Sequence, residues 1–304
     1  MKYTEFIEEV RNEVEKLCPF DKVVIEKIIK NNSTEYYGLI IKKEGVNVSP
    51  TIYLDSYYEK YTCGYSIENI VNEIVETDIR SRDEFDIEVD SYRDYDKMKD
   101  RLLYKIINTE CNSEILRKVP HREYHDLSIV YYCLVPDSLG CVATWTVSNE
   151  IMKVWGVDEE ILFEKATENG RRIMPYSIMS ITDVICDLLT SKDESKEGMI
   201  EDLIEMEHGP QMYVATNKNK VFGAAVIIYP DVLIGFARKN GDFYVLPSSI
   251  HEVIFIPASE NIAEKELMNM VKEVNDTQVP KDEFLSNEVY FFDAKENKLR
   301  KLNK

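Results

Sequence analysis

The chain of 304 residues is 44% apolar and 11% aromatic, which is enough to bury the core of one large domain or two ordinary ones. Its 56 acidic and 37 basic residues give a net charge of −19, which repels the phosphates of nucleic acids and anionic membrane surfaces. Since it also lacks a membrane-length apolar run and a signal peptide pattern, we expect a cytoplasmic protein that binds neither nucleic acids nor membranes.

The cysteines argue against a disulfide framework. None of the six forms a C-x-x-C pair, so a cysteine-based zinc site is not expected either in a chain of this length. We expect most of them to be reduced core residues. They are Cys18, Cys63, Cys111, Cys133, Cys141 and Cys186.

The first part of the chain alternates helical and strand patterns. Apolar residues at helical spacing predict one helix that Thr4 caps and Pro19 ends, and a second helix after Ser66. Between these helices, residues 23–29, 36–42 and 46–53 have the composition of strands.

Tyr53, Tyr57 and Tyr61 recur at intervals of four residues, so they share one face if their segment is helical. Such a stripe usually packs into a core, but tyrosine is also enriched at interfaces. Both interpretations stay open, a core face and an aromatic contact patch for a partner.

The middle of the chain carries clear capping signals. Residues 127–135 and 141–146 predict an antiparallel strand pair, after which Ser148 and Asp158 cap two helices that end at Gly156 and Gly170. Ser180 begins a third helix with a capping-box pattern. Residues 191–209 then lose all periodicity and are rich in charged residues and serine, which predicts a mobile acidic insertion.

The last third returns to strand composition over residues 211–216 and 222–229, and Pro230 begins a helix. Two buried strands over residues 242–246 and 252–256, a helix over 259–274 and a strand over 289–293 follow. These elements predict an α+β protein of two domains, residues 1–118 and 119–304. Each would be a small mixed or antiparallel sheet with helices packed on it.

Metal and cofactor motifs are not found in the sequence. His121 and His125 form the most metal-like pair, because a spacing of four on a helix would direct both imidazoles at one ion. However, Pro120 and the strand-like residues 127–135 leave little room for a helix, and no third ligand is apparent. The chain also lacks the glycine-rich phosphate loops, the hydrolase elbow and the zincin motif, so we expect no metal and no cofactor.

Arg122 follows His121 directly. We expect this pair to hydrogen-bond a neighbouring loop, and we regard Arg122 as an interaction residue.

A polar corner between the two buried strands contains Ser248, Ser249, His251 and Glu252, which are the candidates for catalysis. The same Pro-Ser-Ser pattern is also ordinary turn chemistry. Along an extended strand, Ser249 and His251 would lie roughly 6.5 Å apart, beyond the ~3 Å hydrogen bond that activates a nucleophile. His251 would therefore need a serine or an aspartate from elsewhere.

Three motifs distributed over nearly the whole chain carry a resemblance: Ser49-Pro50-Thr51-Ile52-Tyr53-Leu54, Pro120-His121-Arg122 with Asp126-Leu127, and Leu246-Pro247-Ser248-Ser249-Ile250-His251-Glu252. They resemble an uncharacterised bacterial family that is known only as a domain of unknown function. Two further motifs are similar to a second uncharacterised family, from Gram-positive bacteria: Trp155-Gly156-Val157 with Glu159-Glu160, and Gly241-Asp242-Phe243-Tyr244 with Pro247-Ser248. The resemblance implies a cytoplasmic location and a domain boundary near Pro120, but no activity or catalytic residues.

Two functional hypotheses follow. The leading one is a non-enzymatic binding or regulatory module that contacts a small ligand or a protein, for which a basic surface would match the acidity of the chain. The alternative is a small-molecule hydrolase or transferase that uses His251 and Glu252. An enzyme should have a deep concave pocket beside His251, whereas a binding module should have a flat or convex surface there.

Overall fold

The computed structural model describes residues 1–44, 49–84, 89–135, 143–190 and 209–302. Helices occur together with antiparallel sheets, which confirms the predicted α+β class. Within the described residues, no helix is both long and apolar enough to cross a membrane. The predicted acidic insertion falls almost entirely on residues 191–208, outside the described part of the chain.

The first compact unit comprises Met1–Met98 with Leu134–Thr144. Its antiparallel sheet has the strand order β1-β2-β3, and its core includes Phe6, Val10, Leu39, Leu54 and Ile70. The elements are α1 (Tyr3–Leu17), β1 (Lys22–Ile29), β2 (Glu35–Lys42), β3 (Ile52–Tyr53), α2 (Leu54–Thr62), α3 (Ile67–Glu84) and α4 (Tyr95–Met98).

The second unit comprises Lys99–Cys133 with Trp145–Lys304 and contains two antiparallel sheets. In the first of these, the strand order is β4-β6-β5, and β7 pairs with β6. Helix α7 contacts β4 of this sheet. The elements are β4 (Leu102–Asn108), α5 (Ser113–Leu116), β5 (His121–Tyr124), β6 (Leu127–Val135), β7 (Ala143–Thr146), α6 (Asn149–Trp155) and α7 (Glu159–Ile173).

The second sheet of this unit has six strands in the order β13-β12-β10-β11-β9-β8. Its core is aromatic: the Phe243 ring lies 4.9 Å from that of Phe255 and 5.1 Å from that of Phe292. The elements are β8 (Tyr176–Ser180), α8 (Ile181–Thr190), β9 (Tyr213–Asn217), α9 (Pro230–Asn240), β10 (Phe243–Leu246), β11 (Val253–Pro257), α10 (Glu264–Thr277), β12 (Tyr290–Asp293) and β13 (Lys298–Lys301).

The compact units divide at Met98, whereas the sequence placed the domain boundary after Lys118. The difference arises from β4, which pairs with β6 from Leu102 opposite Cys133 to Asn108 opposite Leu127. This pairing places β4 in the second unit.

The capping signals at Ser148 and Asp158 identify their helices correctly. The Ser148 side chain accepts a hydrogen bond from the Ile151 N–H at 3.2 Å, and the Asp158 carboxylate accepts one from the Ile161 N–H at 3.0 Å. Gly156 ends α6 in the left-handed conformation at φ 66°. Such local signals are readable because cap residues act on backbone groups a few residues away.

The predicted strand over residues 222–229 is wrong, since Gly223–Ile228 forms a 3₁₀ helix. Phe222 begins it at φ 54°, and the N–H of Ala224 donates to the carbonyl of Ile250 at 3.2 Å. The apolar composition that favoured a strand instead reflects burial of residues 223–227. Tertiary contacts here override the local preference.

Four other predictions need correction. Helix α1 begins at Tyr3 after the N-cap residue Lys2, so Thr4 lies inside the helix and does not cap it. Helix α7 continues through Gly170 to Ile173, and an added Cβ on Gly170 would lie only 1.9 Å from Tyr229 Oη, so this glycine permits close packing rather than a helix end. Helix α10 begins at Glu264 rather than near Ser259. Of the predicted strand over 46–53, the structure has Ile52–Tyr53, and residues 45–48 lie outside the described chain. Strands β4, β5, β8 and β13 were not predicted.

We expect Gly223→Ala to destabilise the second unit by about 1–3 kcal/mol, because an added Cβ would lie 2.0 Å from Thr216 Oγ1 and 2.4 Å from the His251 carbonyl oxygen. Gly235→Ala on α9 is the matched control: nothing lies within 4 Å of its Cβ position, so the variant should gain up to about 1 kcal/mol. Urea denaturation followed by circular dichroism measures both changes. Equal midpoints for the two variants would contradict this packing.

Candidate functional site

The polar corner after β10 is tied into the fold through its backbone. Ser249 forms a β-bridge with Phe284, and the N–H of Ile250 donates to the carbonyl of Glu283 at 2.9 Å. Ser249 is buried, and its Oγ accepts a hydrogen bond from the backbone N–H of His251 at 3.0 Å. This hydroxyl oxygen therefore has a structural partner.

The ring of His251 is held by a different neighbour. Its Nδ1 accepts a hydrogen bond from the Phe222 N–H at 3.3 Å, so the proton of the neutral ring lies on Nε2. The two rings are stacked with centroids 5.8 Å apart, and Nε2 lies 3.7 Å from Glu283 Oε1. The structure thus joins Ser249 to His251 through the His251 backbone and not through its ring.

Ser248 and Glu252, the other two corner candidates, are both partly buried. The Ser248 carbonyl accepts a hydrogen bond from the Leu285 N–H at 3.0 Å, and Glu252 lies directly before β11. Next to this corner, a cavity lined in part by Phe222 and Gly223 has a volume of about 20 Å³. That volume holds one water molecule rather than a substrate.

Lys105 lies beside the same corner. It is the one partly buried position of β4, whose six other residues are buried. Its Nζ lies 4.4 Å from the centroid of the Phe222 ring, the ring that stacks on His251. Burial lowers the pKa of Lys105 to about 8, because desolvation disfavours the charged ammonium.

Arg122 is held by two glutamates of α7. Its guanidinium donates hydrogen bonds to both carboxylate oxygens of Glu159, the shortest of which runs from Nη2 to Oε2 at 2.8 Å. Nη2 also donates to Glu160 Oε2 at 2.6 Å. The Tyr131 hydroxyl also donates to Glu159, and the guanidinium lies 4.0 Å above the Phe163 ring. These contacts raise the pKa of Arg122, so the side chain is a permanently charged clamp between β5 and α7.

His121 is the first residue of the extended strand β5, His125 follows its last residue, and both are exposed. His121 Nδ1 lies 3.1 Å from the Val119 carbonyl oxygen, and His125 is in the left-handed conformation at φ 59°. An extended strand does not bring residues four apart to one ion. Within the described residues, no group of three or more His, Cys, Asp or Glu could hold a metal.

Asp126, next to His125, joins the β5–β6 turn to the segment that leads into β12. Its carboxylate accepts hydrogen bonds from the Ser286 and Tyr290 hydroxyls, both at 2.6 Å. Ser286 and Tyr290 are almost completely buried. Each of the two hydroxyl groups thus has a hydrogen-bond partner in the Asp126 carboxylate. Asp126 therefore has a structural role, since it holds this turn against the β12 segment.

The tyrosine stripe lies in the first unit. Tyr57 and Tyr61 pack against its hydrophobic core, whereas Tyr53 lies with its ring centroid 3.7 Å from Lys30 Nζ. The Tyr36 ring completes this contact at 5.0 Å from the same Nζ. The stripe is therefore divided between core packing and a cation–π contact.

The edges of the six-stranded sheet differ in charge. Strand β13 carries Lys298, Arg300 and Lys301, whereas β8 has the uncharged sequence Tyr-Ser-Ile-Met-Ser. Natural sheets commonly protect their edges with charged residues, lysine above all. By that criterion, and within the described residues, β13 is a protected edge and β8 an open one.

Hydrogen bonds on either side of β8 show which backbone groups face outward. The Lys218 N–H donates to the Pro175 carbonyl at 2.8 Å, and the Ile181 N–H donates to the Met212 carbonyl at 3.0 Å. Because antiparallel pairing alternates, residues 177 and 179 bond to β9. The N–H and C=O groups of Tyr176 and Ile178 therefore point away from β9.

A groove of about 450 Å³ lies between β8, β9 and α9. Tyr176 and Ile178 line it from β8, Tyr213 from β9, and Phe236 and Lys239 from α9. Tyr176 is 53% exposed. Tyr176 and Ile178 therefore have outward-facing backbone groups and also line the aromatic groove with their side chains.

Sequence reasoning missed both Lys105 and β8. A single lysine within the apolar run 102–108 was a readable signal for the first. For the second, the signal was the uncharged stretch 173–182, in a chain with 31% charged residues.

We expect Glu159→Gln to destabilise the second unit by about 1–3 kcal/mol, because the 28% exposed carboxylate holds both Arg122 and Tyr131. Glu160→Gln is the control: this side chain is 63% exposed, and its loss should change the stability by less than about 0.5 kcal/mol. Thermal denaturation compares the two. Equal losses would show that Glu159 is no anchor.

We expect Lys105→Met to be more stable than the wild type at pH 7, by up to about 3 kcal/mol, since the buried ammonium disfavours folding. The pKa of Lys105 falls from 10.5 to about 8 in the folded state, so between these values the unfolded chain binds more protons and wild-type stability rises with pH. The advantage of the variant should therefore disappear by pH 10.5.

Denaturation midpoints measured from pH 7 to 10.5 test this, with Lys298→Met on exposed β13 as the control. An advantage of Lys105→Met that does not change with pH would contradict the assigned titration.

Comparison with known proteins supports the resemblance to an uncharacterised family. A family model described as "Family of unknown function (DUF5688)" matches residues 3–294. No curated protein and no solved structure matches the chain. The resemblance to an uncharacterised family over nearly the whole chain is confirmed, while the individual motifs and the second family stay predictions. The chain belongs to the family of unknown function DUF5688.

Proposed function

We propose that this protein is a non-enzymatic binding module that takes an extended, basic segment of a partner protein along strand β8. The observation that carries the proposal is the uncharged outer edge of β8, where Tyr176 and Ile178 present both their backbone groups and their side chains. An extended peptide can add to such an edge as a further strand. Main-chain hydrogen bonds then give affinity, and alternate side chains give specificity.

The groove supports a partner with a defined pattern. Side chains that alternate along an added strand would enter the groove at every second position. Its Tyr176, Tyr213 and Phe236 rings suit apolar groups and the stems of lysine or arginine. The net charge of −19 favours basic residues at the positions that face solvent.

The polar corner supports binding rather than hydrolysis. A hydrolase or transferase that used His251 would need a nucleophile within hydrogen-bond reach of its ring. The ring Nδ1 instead accepts a hydrogen bond from the Phe222 backbone, and Ser249 Oγ accepts one from the His251 backbone.

The cytoplasmic location stays a prediction from the sequence.

The test uses labelled ten-residue peptides that alternate valine with lysine, and a matched set with glutamate in place of lysine, measured by fluorescence anisotropy. We expect the basic peptides to bind and the acidic ones not to bind. Ile178→Pro removes an outward N–H that β9 does not use, so it should weaken binding about tenfold and leave the melting temperature near that of the wild type.

Ile178→Val keeps that N–H and is the matched control, with affinity expected close to the wild type. The proposal fails if neither peptide set binds, or if Ile178→Pro binds the basic peptides as tightly as Ile178→Val.

A further inference from the structure

The groove beside β8 contains a glycine that the packing of the described residues does not require. Gly235 lies in the interior of α9, where glycine is less favourable than alanine. Apart from its chain neighbours and its own helix backbone, no described heavy atom lies within 4 Å of the position that its Cβ would occupy. At Gly170 and Gly223, by contrast, an atom lies 1.9 Å and 2.0 Å from that position. Gly235 therefore leaves open space instead of relieving a clash.

This open space belongs to the groove. Gly235 lines it together with Val232, Phe236 and Lys239, which share one face of α9 because they are three or four residues from it or from each other. From β9, the Tyr213 ring lies 5.1 Å from the Phe236 ring in an edge-to-face arrangement. The groove volume of about 450 Å³ is within the range of small-ligand pockets. The groove can therefore accept a whole side chain over Gly235.

The groove lining selects the chemistry of that side chain. Lys239 is the one charged residue among the described residues of the lining, and its ammonium repels the head group of a lysine or an arginine. A carboxylate would lose hydration against the Tyr176, Tyr213 and Phe236 rings. A neutral aromatic ring packs well against such rings and attracts the Lys239 cation to its face. The lining thus favours an aromatic group over charged ones.

We propose that the groove has a pocket over Gly235 for one large aromatic group, which in the bound partner is a side chain of the size of tryptophan. Gly235 is then the residue that determines specificity, because a larger side chain there would occupy the space of the ring. The use of the pocket by a partner segment rests on the proposed function. The pocket itself can be tested with the aromatic group alone.

The first measurement titrates the whole protein with indole, the ring system of tryptophan, and follows the backbone amides by nuclear magnetic resonance. We expect saturable shifts at Tyr213, Gly235 and Phe236, with a Kd of about 1 mM. Butylamine, the side-chain group of lysine, should not shift these amides. The proposal is overturned if about 10 mM indole leaves them unshifted, or if butylamine shifts them as strongly as indole does.

Gly235→Leu places a side chain in the open space, so indole should no longer shift the amides of Tyr213 and Phe236. The variant should melt no lower than the wild type, because leucine favours a helix more than glycine does. Arg238→Leu is the matched control, since it adds the same side chain at an exposed position of α9 outside the groove, and it should keep indole binding. Unchanged indole binding by Gly235→Leu would contradict the assigned pocket.

Peptides separate this pocket from strand addition. Tryptophan replaces each valine in turn in the alternating valine–lysine peptide, and at one position the affinity should rise about tenfold. Gly235→Leu should remove that gain. If the valine–lysine peptide binds and no tryptophan improves it, strand addition stands and the aromatic pocket fails. If indole binds in the groove and no peptide binds, the proposed function fails and the aromatic pocket stands.

Discussion

An open antiparallel sheet ends on each side in a strand whose outward N–H and C=O groups have no partner within the sheet, and this constraint shapes the second unit. Its six-stranded sheet ends in β13 on one side and β8 on the other. The cations Lys298, Arg300 and Lys301 protect the first edge, whereas the second has no charged residue. The chain is rich in charge elsewhere, so an uncharged edge strand is unusual for it. The proposed binding function depends on this open edge.

The rest of the second unit fixes that edge in place. Strand β9 pairs with β8 on one side and with β11 on the other, and Thr216 of β9 donates a hydrogen bond to the His251 carbonyl at 2.7 Å. The corner that looked catalytic in the sequence thus connects the 3₁₀ segment after Phe222 to the sheet. Its polar atoms hold backbone together, as the hydrogen bonds of buried polar groups generally do.

Features that depend on neighbours in sequence could be predicted. The caps at Ser148 and Asp158, the strand pair β10–β11 and the Pro230 helix start all follow from residues a few positions apart. Features that depend on distant partners could not: Gly223 is required by Thr216 and His251, and Gly170 by Tyr229. Lys105 and β8 had only weak signals in the sequence. The signal for Lys105 was a single charged residue within an apolar run, and the signal for β8 was an uncharged stretch in a chain that is otherwise rich in charge.

Amide hydrogen exchange of β8, followed by nuclear magnetic resonance, tests the central claim most directly, because exchange reports whether each N–H has a hydrogen-bond partner. In the free protein the account predicts protected amides at Ser177 and Met179, which bond to β9, and fast exchange at Tyr176 and Ile178. Addition of a basic extended peptide should then slow the exchange of Tyr176 and Ile178. Protection of those two amides in the free protein would contradict the account, because the edge would already be paired.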